Sequence, residues 1–328
     1  MNQPLLKVDN LQVRFTVNRN RRWPWEAPQT LKAVDGVSFE LYPGETLGVV
    51  GESGCGKSTL ARAILGLLPA QGGQVSWLGE DLLGLDRRGW KNKRRELQII
   101  FQDPLASLNP RMTIGEIIAE PLRSLRPDVP REEVKRKVRE TMQLVGLLPN
   151  QINRYPHEFS GGQCQRIGIA RALIVDPKLI VCDEPVSALD VSIQAQIVNL
   201  LKDLQSRLDL TLIFIAHDLS IVEHISDRVM VMYLGHVMEL APKRRLYREP
   251  RHPYTQALLS AVPIPDPELE RNKTIQLLPG DLPSPINPPS GCVFRTRCPR
   301  AIEACAGEVP ALRAIDDEIR VACIRVEQ

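Results

Sequence analysis

The stretch from Gly51 to Thr59 constrains the fold of this chain more than any other part of its 328 residues. It fits the pattern G-x-x-x-x-G-K-[ST], follows the apolar run 46–50 and precedes a run of helical character at 61–68. Glycines let a main chain wrap around phosphate groups without Cβ clashes, and the amide groups at a helix start supply positive potential. The pattern predicts a phosphate-binding loop between a buried strand and a helix.

The candidate nucleotide-binding residues of this loop are Gly51, Glu52, Ser53, Gly54, Cys55, Gly56, Lys57, Ser58 and Thr59. We expect Lys57 to reach the β- and γ-phosphates of a nucleotide and Ser58 to bind a magnesium ion, as these residue types do in loops of this pattern. The alternative interpretation is a glycine turn that only caps a helix.

The N-terminal region carries the pattern of antiparallel β structure. Segments 5–17 and 33–50 contain β-branched residues in partly alternating order, and Pro43-Gly44 marks a turn inside the second segment. The basic stretch between the two segments, which holds Trp23 and Trp25, indicates a hairpin excursion.

The middle of the chain alternates between strands and helices. Buried strands are predicted at 178–185 and 210–218, with a helix at 193–208 between them. This order implies a parallel sheet and an α/β fold class. Residues 130–147 predict a further helix, with apolar residues on one face and Lys, Arg and Glu on the other.

Composition narrows the class of protein. The chain is 43% hydrophobic and 25% charged, which is typical of an ordinary globular protein. Its net charge of +3 comes from interleaved blocks of both signs, so nucleic acid is not an expected partner. No apolar run approaches the roughly 18 residues that would span a bilayer, and the N-terminus lacks a signal-peptide pattern. We therefore expect a cytosolic chain.

Two adjacent acids, Asp183 and Glu184, end the predicted strand at 178–185. Two carboxylates that leave a core together repel each other unless a cation is present, so a metal ion is the economical explanation. We expect Asp183 to bind magnesium and Glu184 to polarise an attacking water, roles that suit phosphoryl transfer. The alternative is a pair of acids that only cap the following turn.

A second candidate anion site lies between these motifs. The stretch 159–163 precedes a helical run at 165–174, and its small residues would leave main-chain amide groups open to a phosphate. In combination with the loop and the paired acids, the stretch resembles the signature of the ATP-binding subunits of ABC transporters. Its residues are Ser160, Gly161, Gly162 and Gln163.

This resemblance covers nearly the whole chain and implies a domain organisation. It implies a P-loop NTPase fold with a RecA-like parallel sheet, an antiparallel β subdomain, a helical signature subdomain and a small Cys-rich C-terminal module. We expect the nucleotide-binding domain at 1–262, its helical subdomain at about 88–165 and the C-terminal extension at 263–328, where proline becomes frequent.

The resemblance also assigns roles to residues whose sequence context alone is weak. Phe15 looks like the aromatic side chain that stacks on adenine, Gln102 like the glutamine that contacts magnesium, and His217 like the histidine that holds the γ-phosphate. In this family two subunits close over ATP, so that the signature of one subunit covers the nucleotide of the other. The loop that crosses this dimer interface corresponds to Ser187, Ala188, Leu189 and Asp190.

Two positions depart from the family pattern. The signature begins with Phe159 in place of leucine, and Cys164 stands where a basic residue is common. Neither change removes a phosphate donor, so we expect ATPase activity.

The C-terminal tail resembles a smaller group of proteins within this family. Segments 251–263 and 280–299 resemble bacterial oligopeptide and dipeptide importer ATPases, and the motifs look closest to the F-type subunit of the oligopeptide permease. The resemblance implies three kinds of partner: a D-type ATPase that forms a heterodimer with this chain, two transmembrane permease subunits and a periplasmic peptide-binding protein. It also implies a peripheral position on the cytoplasmic face of the inner membrane. Residues 103–122 would face the permeases. Dipeptides, murein peptides and nickel are alternative substrates.

Four of the seven cysteines lie in the tail, with the spacing C-x5-C-x6-C-x17-C. Four thiolates can bind a zinc ion or a [4Fe–4S] cluster, and the spacing alone favours neither. Resemblance to peptide-importer ATPases favours the cluster over zinc or free thiols. The candidate ligands are Cys292, Cys298, Cys305 and Cys323.

The sequence is also compared with two rival functions. One is a related ATPase that acts on nucleic acid or ribosomes, but the coiled-coil insertions and paired domains of those relatives are missing from this sequence. The other is a subunit that binds ATP without hydrolysing it, which the presence of Glu184 and His217 opposes.

Overall fold

The structure is a computed structural model that describes residues 3–17, 29–263 and 266–326, so the predicted Trp23/Trp25 excursion lies outside the described residues. The strands and α-helices in chain order are β1 (Leu6–Val17), β2 (Gln29–Leu41), β3 (Thr46–Val50), α1 (Lys57–Ile64), β4 (Gly72–Trp77), β5 (Glu80–Asp81), α2 (Arg87–Lys93), β6 (Leu97–Ile100), α3 (Ile114–Leu125), α4 (Arg131–Leu144), α5 (Gly161–Leu173), β7 (Leu179–Asp183), α6 (Val191–Leu208), β8 (Thr211–Ile215), α7 (Leu219–Ile225), β9 (Arg228–Tyr233), β10 (His236–Pro242), α8 (Lys243–Arg248), α9 (Pro253–Ser260), α10 (Pro267–Asn272), β11 (Arg313–Ala314) and β12 (Arg320–Val321). Short 3₁₀ helices occur at Pro149–Gln151, Pro156–Glu158 and Glu303–Ala306.

The described chain divides into two compact units. The first unit comprises the described residues up to 41, residues 47–83 and the described residues from 217 onward. The second unit comprises residues 42–46 and 84–216. No helix of the described residues is long and apolar enough to cross a membrane.

An antiparallel sheet with the strand order β2-β1-β4-β5 forms part of the first unit. Leu6 of β1 lies opposite both Leu41 of β2 and Trp77 of β4, and all three side chains are buried. Alternate residues of β1 and β2 point into the core, which is the arrangement that a sheet with one covered face requires. The antiparallel structure predicted for 5–17 and 33–50 is confirmed for β1 and β2. It is wrong for residues 46–50, which form β3 and pair in parallel with β9.

The first unit also contains β3, which pairs in parallel with β9. All five residues of β3 are buried, as its continuous apolar run predicts. β9 and β10 form an antiparallel hairpin through Leu234 and Gly235, which both have positive φ and suit a tight two-residue turn. β12 and β11 continue from β10 with antiparallel pairing.

Three parallel strands, in the order β8-β7-β6, form the sheet of the second unit. β7 and β8 are buried along their whole length. α6 buries Ile197, Val198, Leu201 and Leu204, which share one helix face at positions i, i+1, i+4 and i+7. The parallel arrangement predicted from the alternation of strands and helices is confirmed.

The helices α3 to α5 supply the rest of the second unit's core. α4 buries Val134, Val138 and Met142 and exposes most of its charged residues, which confirms the amphipathic helix predicted for 130–147. α3 starts with a capping box in which the Thr113 main-chain N–H donates to Glu116 at 2.8 Å. The domain boundaries expected from the sequence stay a prediction.

Candidate functional site

The phosphate-loop residues lie between β3 and α1, the position that the sequence pattern predicts. Gly51 has φ +150° and Gly56 has φ +106°, conformations that residues with a Cβ rarely adopt. A Cβ atom on Gly51 would lie 2.2 Å from the Met232 carbonyl oxygen, and one on Gly56 would lie 2.1 Å from that of Ala33. The two glycines are therefore required for this loop path.

Lys57 begins α1 and is only 4% exposed. Its Nζ donates hydrogen bonds to the carbonyl oxygens of Gly51, at 2.8 Å, and Glu52, at 3.0 Å. Ser58 and Thr59 follow it in the first turn and are half-buried. Because the N-cap residue is Gly56, its side chain cannot cover the first amide groups of the helix. The lysine and these amides create positive potential at one helix end.

Other residues of the loop differ in their environment. Ser53 and Gly54 are exposed, whereas Cys55 is buried. Burial raises the pKa of the Cys55 thiol, so this side chain serves as a small apolar packing group.

Two further predicted residues belong to the first unit. Phe15 lies on β1 opposite Leu31 and keeps 37% of its surface exposed, so part of its ring remains open for stacking. His217 is an exposed residue between β8 and α7. The next residue, Asp218, caps α7 by accepting a hydrogen bond from the main-chain N–H of Ser220 at 2.8 Å.

The second unit brings Gln102 and Glu184 together. Gln102 is exposed just after β6, and its Nε2 donates to Oε2 of Glu184 at 3.0 Å. Asp183 ends β7 and is 1% exposed. Glu184 has φ +48°, and its main chain donates to Ile215 and accepts from the Ser187 side chain. Positive φ at a non-glycine residue is costly, which makes this turn a candidate for function.

The signature residues form the start of α5. Ser160 is the N-cap, and its main-chain N–H donates to Oε1 of Gln163 at 3.0 Å. A Cβ on Gly162 would lie 2.5 Å from Cγ2 of Ile193, and one on Gly161 would lie 3.3 Å from Cδ2 of Leu189. The glycines thus let α5 approach the region before and at the start of α6 closely.

The loop from Ser187 to Asp190 contacts both Glu184 and the signature residues at the start of α5. The Ser187 hydroxyl donates to the Glu184 carbonyl oxygen at 3.1 Å. The Leu189 carbonyl oxygen accepts from the Gln194 side chain at 2.9 Å, while Ala188 and Asp190 are exposed. Within the second unit, the structure therefore brings this loop together with Glu184 and with the signature glycines.

Cys164, which departs from the family pattern, is fully buried. Its Sγ donates to the Pro156 carbonyl oxygen at 3.5 Å. Cys164 therefore packs inside the second unit and leaves the signature amides unchanged.

The structure also reveals two residues that the sequence analysis missed. The Tyr254 hydroxyl accepts a hydrogen bond from the main-chain N–H of Glu52 at 3.0 Å. The guanidinium of Arg297 donates through Nη1 to both carboxylate oxygens of Glu52, each at 2.9 Å. These contacts span more than 200 residues of sequence, so no local pattern could have indicated them.

The four tail cysteines form no disulfide bonds in the described part of the chain, and Cys292 lies near the other three. Burial raises the pKa of the Cys292 thiol, and the adjacent Cys305, Cys298 and Cys323 raise it further. Cys292 also donates its main-chain N–H to Cys305 at 2.8 Å.

These thiols do not form the expected ligand set. Among the described residues, no group of three or more His, Cys, Asp or Glu side chains converges as a metal site. The structure therefore does not support the expected [4Fe–4S] cluster, nor the zinc ion proposed as its alternative.

Comparison with protein families agrees with the motif positions. The family model described as "ABC transporter" matches residues 34–187. A second family model, described as "Oligopeptide/dipeptide transporter, C-terminal region", matches residues 238–305.

Curated relatives match along nearly the full chain. The "Oligopeptide transport ATP-binding protein OppF" of Salmonella typhimurium is 66% identical over 323 residues, which cover 98% of this chain and 96% of the relative. The protein of the same name from Escherichia coli gives the same identity and coverage. The "Putative oligopeptide transport ATP-binding protein YkfD" of Bacillus subtilis is 55% identical over 98% of this chain and 95% of its own length.

Solved structures show the same fold. The dimeric ATP-binding cassette MJ0796, in a post-hydrolysis state bound to ADP and Pi, has a TM-score of 0.65 at 27% identity and covers 73% of this chain and 99% of its own. CbiO1 from Clostridium perfringens, part of the ABC transporter complex cbiONQ, has a TM-score of 0.65 at 26% identity. The match covers 76% of this chain and 92% of CbiO1.

Proposed function

The chain belongs to the ATP-binding subunits of ABC transporters, and we propose that it couples ATP binding and hydrolysis to oligopeptide uptake across the bacterial inner membrane. The observation that carries this proposal is the 66% identity to oligopeptide transport ATP-binding proteins across 98% of the chain. The match of the tail to the oligopeptide and dipeptide transporter region supports the substrate class.

In the first unit, we assign nucleotide binding to the phosphate loop and Phe15. The main-chain amides of the loop and the Lys57 ammonium bind phosphate oxygens, and the open face of Phe15 stacks on adenine. The glycine-dependent loop path and the burial of Lys57 support these roles, because a preorganised donor set loses little freedom on binding. We assign contact with the γ-phosphate to His217.

In the second unit, we assign the hydrolytic step to Glu184, which takes a proton from the attacking water. Gln102 orients its carboxylate through the 3.0 Å hydrogen bond. In this unit Gln102 and Asp183 offer amide and carboxylate oxygens, which are hard donors that suit Mg²⁺. In the first unit we assign the same role to the Ser58 hydroxyl. Magnesium supplies charge neutralisation for phosphoryl transfer when it is bound.

We assign the signature residues and the loop Ser187–Asp190 to a nucleotide held by a partner subunit. The start of α5 offers main-chain amides to a phosphate, and Gly161 and Gly162 leave them unobstructed by side chains. By family resemblance, the partner is a D-type ATPase that forms a heterodimer with this chain. The pair drives two permease subunits fed by a periplasmic peptide-binding protein, and this chain lies peripherally on the cytoplasmic face.

The iron–sulfur cluster rests on the resemblance of the tail alone, and we derive no step from it. Anaerobic purification followed by iron, sulfide and zinc analysis tests it, with Cys298→Ser as the comparison. Four irons and four sulfides per chain, lost in the variant, are the result that a cluster requires. Zinc at one equivalent without iron excludes it.

The importer assignment is tested with the assembled complex. Two permeases and a second ATPase should co-purify with this chain from detergent-solubilised membranes. In proteoliposomes, Glu184→Gln should bind ATP but abolish peptide uptake and hydrolysis by this subunit. Glu132→Gln is the matched control, because Glu132 is exposed on α4 and pairs with Lys135. Undiminished turnover in Glu184→Gln would remove the catalytic assignment.

A further inference from the structure

Glu52 of the phosphate loop is held at both its main chain and its side chain by the C-terminal part of the first unit. Its N–H donates to the Tyr254 hydroxyl at 3.0 Å. Its carboxylate accepts two 2.9 Å hydrogen bonds from Nη1 of Arg297, in an ion pair whose side chains are 25% and 12% exposed. The family pattern leaves position 52 unspecified, because it is one of the four variable residues of the loop.

The tail segment that carries Arg297 is firmly anchored. Phe294 is fully buried and contacts the rings of Tyr233 and Tyr254, with centroids 5.3 Å apart in both cases. The Arg297 main-chain N–H donates to the Phe294 carbonyl oxygen at 3.0 Å, which closes a turn. The guanidinium also lies over the Tyr233 ring, 6.0 Å from its centroid. Arg297 therefore reaches Glu52 from a rigid support.

Glu52, which Arg297 holds through its carboxylate, also contacts Lys57, the lysine of the phosphate loop. Glu52 accepts a hydrogen bond from Lys57 Nζ at its carbonyl oxygen, at 3.0 Å. The position of residue 52 thus sets one of the two carbonyl contacts of the ammonium group. A displacement of Glu52 changes the environment of Lys57 directly.

The charges of Glu52 and Arg297 affect how the loop binds a nucleotide. A nucleotide brings several negative charges to the loop, and the Glu52 carboxylate adds another negative charge within that loop. A cation in direct contact with the carboxylate offsets its field and holds it in one place. Without that cation, the carboxylate would repel the incoming phosphates.

Stability alone is a poor explanation for the partly buried Arg297 side chain. Nε of Arg297 is buried and has no hydrogen-bond partner within the described part of the chain. A buried donor without a partner costs free energy, and partly buried ion pairs recover such costs incompletely. The arrangement is better explained by what the arginine does to Glu52.

We propose that Arg297 is a positioning residue for ATP binding, through which the C-terminal tail neutralises and fixes Glu52 of the phosphate loop. This inference rests on the proposed ATPase function. It assigns to the tail a direct effect on nucleotide affinity, separate from any metal chemistry of its cysteines.

The test measures binding of the magnesium complex of adenylyl imidodiphosphate to the full chain by calorimetry. Arg297→Gln should raise the Kd about tenfold, within the range for groups in direct contact. The double variant Glu52→Gln/Arg297→Gln should return the Kd to within about twofold of wild type, because it also removes the repelling charge. Arg295→Gln is the control, since Arg295 in the same turn binds Ser290 instead.

The outcomes separate the two proposals. Absence of nucleotide binding by the folded wild-type chain would overturn the proposed function itself. Wild-type affinity in folded Arg297→Gln, or no recovery in the double variant, would overturn the role of Arg297 while leaving the ATPase assignment intact. Arg297→Lys keeps the charge and should retain most of the affinity, which provides a readout if the glutamine variant fails to fold.

Discussion

The side-chain amide of Gln102 donates to the Glu184 carboxylate over 3.0 Å, although 82 residues separate them. Glu184 occupies a left-handed turn with φ +48°, and the Ile215 carbonyl and Ser187 hydroxyl hold its main chain. The main-chain contacts fix where the residue lies, and Gln102 fixes where its carboxylate points. Hydrolysis should therefore depend on both residues.

Gln102→Ala should lower the kcat for ATP hydrolysis about 10- to 100-fold, because the carboxylate loses its orienting donor. The KM should change much less if Gln102 acts mainly on the chemical step. Steady-state ATPase kinetics of the assembled transporter provide the measurement. Gln98→Ala is the matched control, because Gln98 lies on β6 in the same segment and donates to the Arg94 carbonyl oxygen. Equal losses in the two variants would argue against the orienting role.

The sequence was informative where function depends on neighbouring residues. The phosphate loop has its glycines, lysine and hydroxyl within nine positions, and the paired acids end a recognisable buried strand. Both motifs lie at the predicted ends of β3 and β7. Periodicity likewise predicted α4 and its buried face.

Contacts between distant segments could not be predicted in this way. Arg297 and Glu52 are 245 residues apart, and each is an ordinary charged residue in its local sequence. The cysteine spacing indicated four clustered thiols but could not give the directions of their side chains. Such arrangements depend on tertiary packing, which one sequence does not encode in any local pattern.

Two glycines of α5 should respond differently to alanine. A Cβ at Gly162 would lie 2.5 Å from Cγ2 of Ile193, so Gly162→Ala should destabilise the chain by about 1–3 kcal/mol. At Gly168 of the same helix a Cβ would meet nothing within 4 Å, so Gly168→Ala should stabilise by about 0.5–1 kcal/mol through helix propensity. Urea unfolding of both variants gives the comparison. Destabilisation of similar size in both would contradict the packing argument.

His252 should make stability depend on pH. It is 1% exposed, and burial lowers its pKa to about 3, while the unfolded chain takes up this proton near pH 6.5. The folded state therefore loses stability as the pH falls below about 6.5, by up to about 1.4 kcal/mol per pH unit. Burial raises the pKa of the adjacent Glu239, so protonation of that group offsets part of the loss.

His252→Asn isolates the histidine contribution. Asparagine can still cap α9, where His252 Nδ1 accepts from the Tyr254 main-chain N–H at 3.0 Å. The variant should be less stable at pH 7 because it is smaller, but its stability should fall less steeply between pH 6 and 4. Urea unfolding across this range is the measurement, with the exposed His224→Asn as control. A slope unchanged from wild type would count against a buried neutral His252.

The Tyr254 hydroxyl offers a second way to loosen the phosphate loop without altering charge. Tyr254→Phe keeps the fully buried ring in contact with Phe294 but removes the acceptor of the Glu52 main-chain N–H. The variant should lose about 1–2 kcal/mol of unfolding free energy, because a partly buried donor loses its acceptor. The Kd for a non-hydrolysable ATP analogue should rise about three- to tenfold as the loop becomes less ordered.

Tyr233→Phe is the matched control for this variant, because the Tyr233 hydroxyl accepts from Arg297 at the longer distance of 3.5 Å and makes no hydrogen bond to the Glu52 main chain within the described residues. Loss of that contact should leave both unfolding and nucleotide binding nearly unchanged. Calorimetry and urea unfolding of the two variants separate the hydroxyl of Tyr254 from the shared aromatic packing. If Tyr233→Phe weakened nucleotide binding as much as Tyr254→Phe, the effect would belong to the aromatic cluster as a whole. A selective effect of Tyr254→Phe would show that the loop depends on its single hydrogen bond to Glu52.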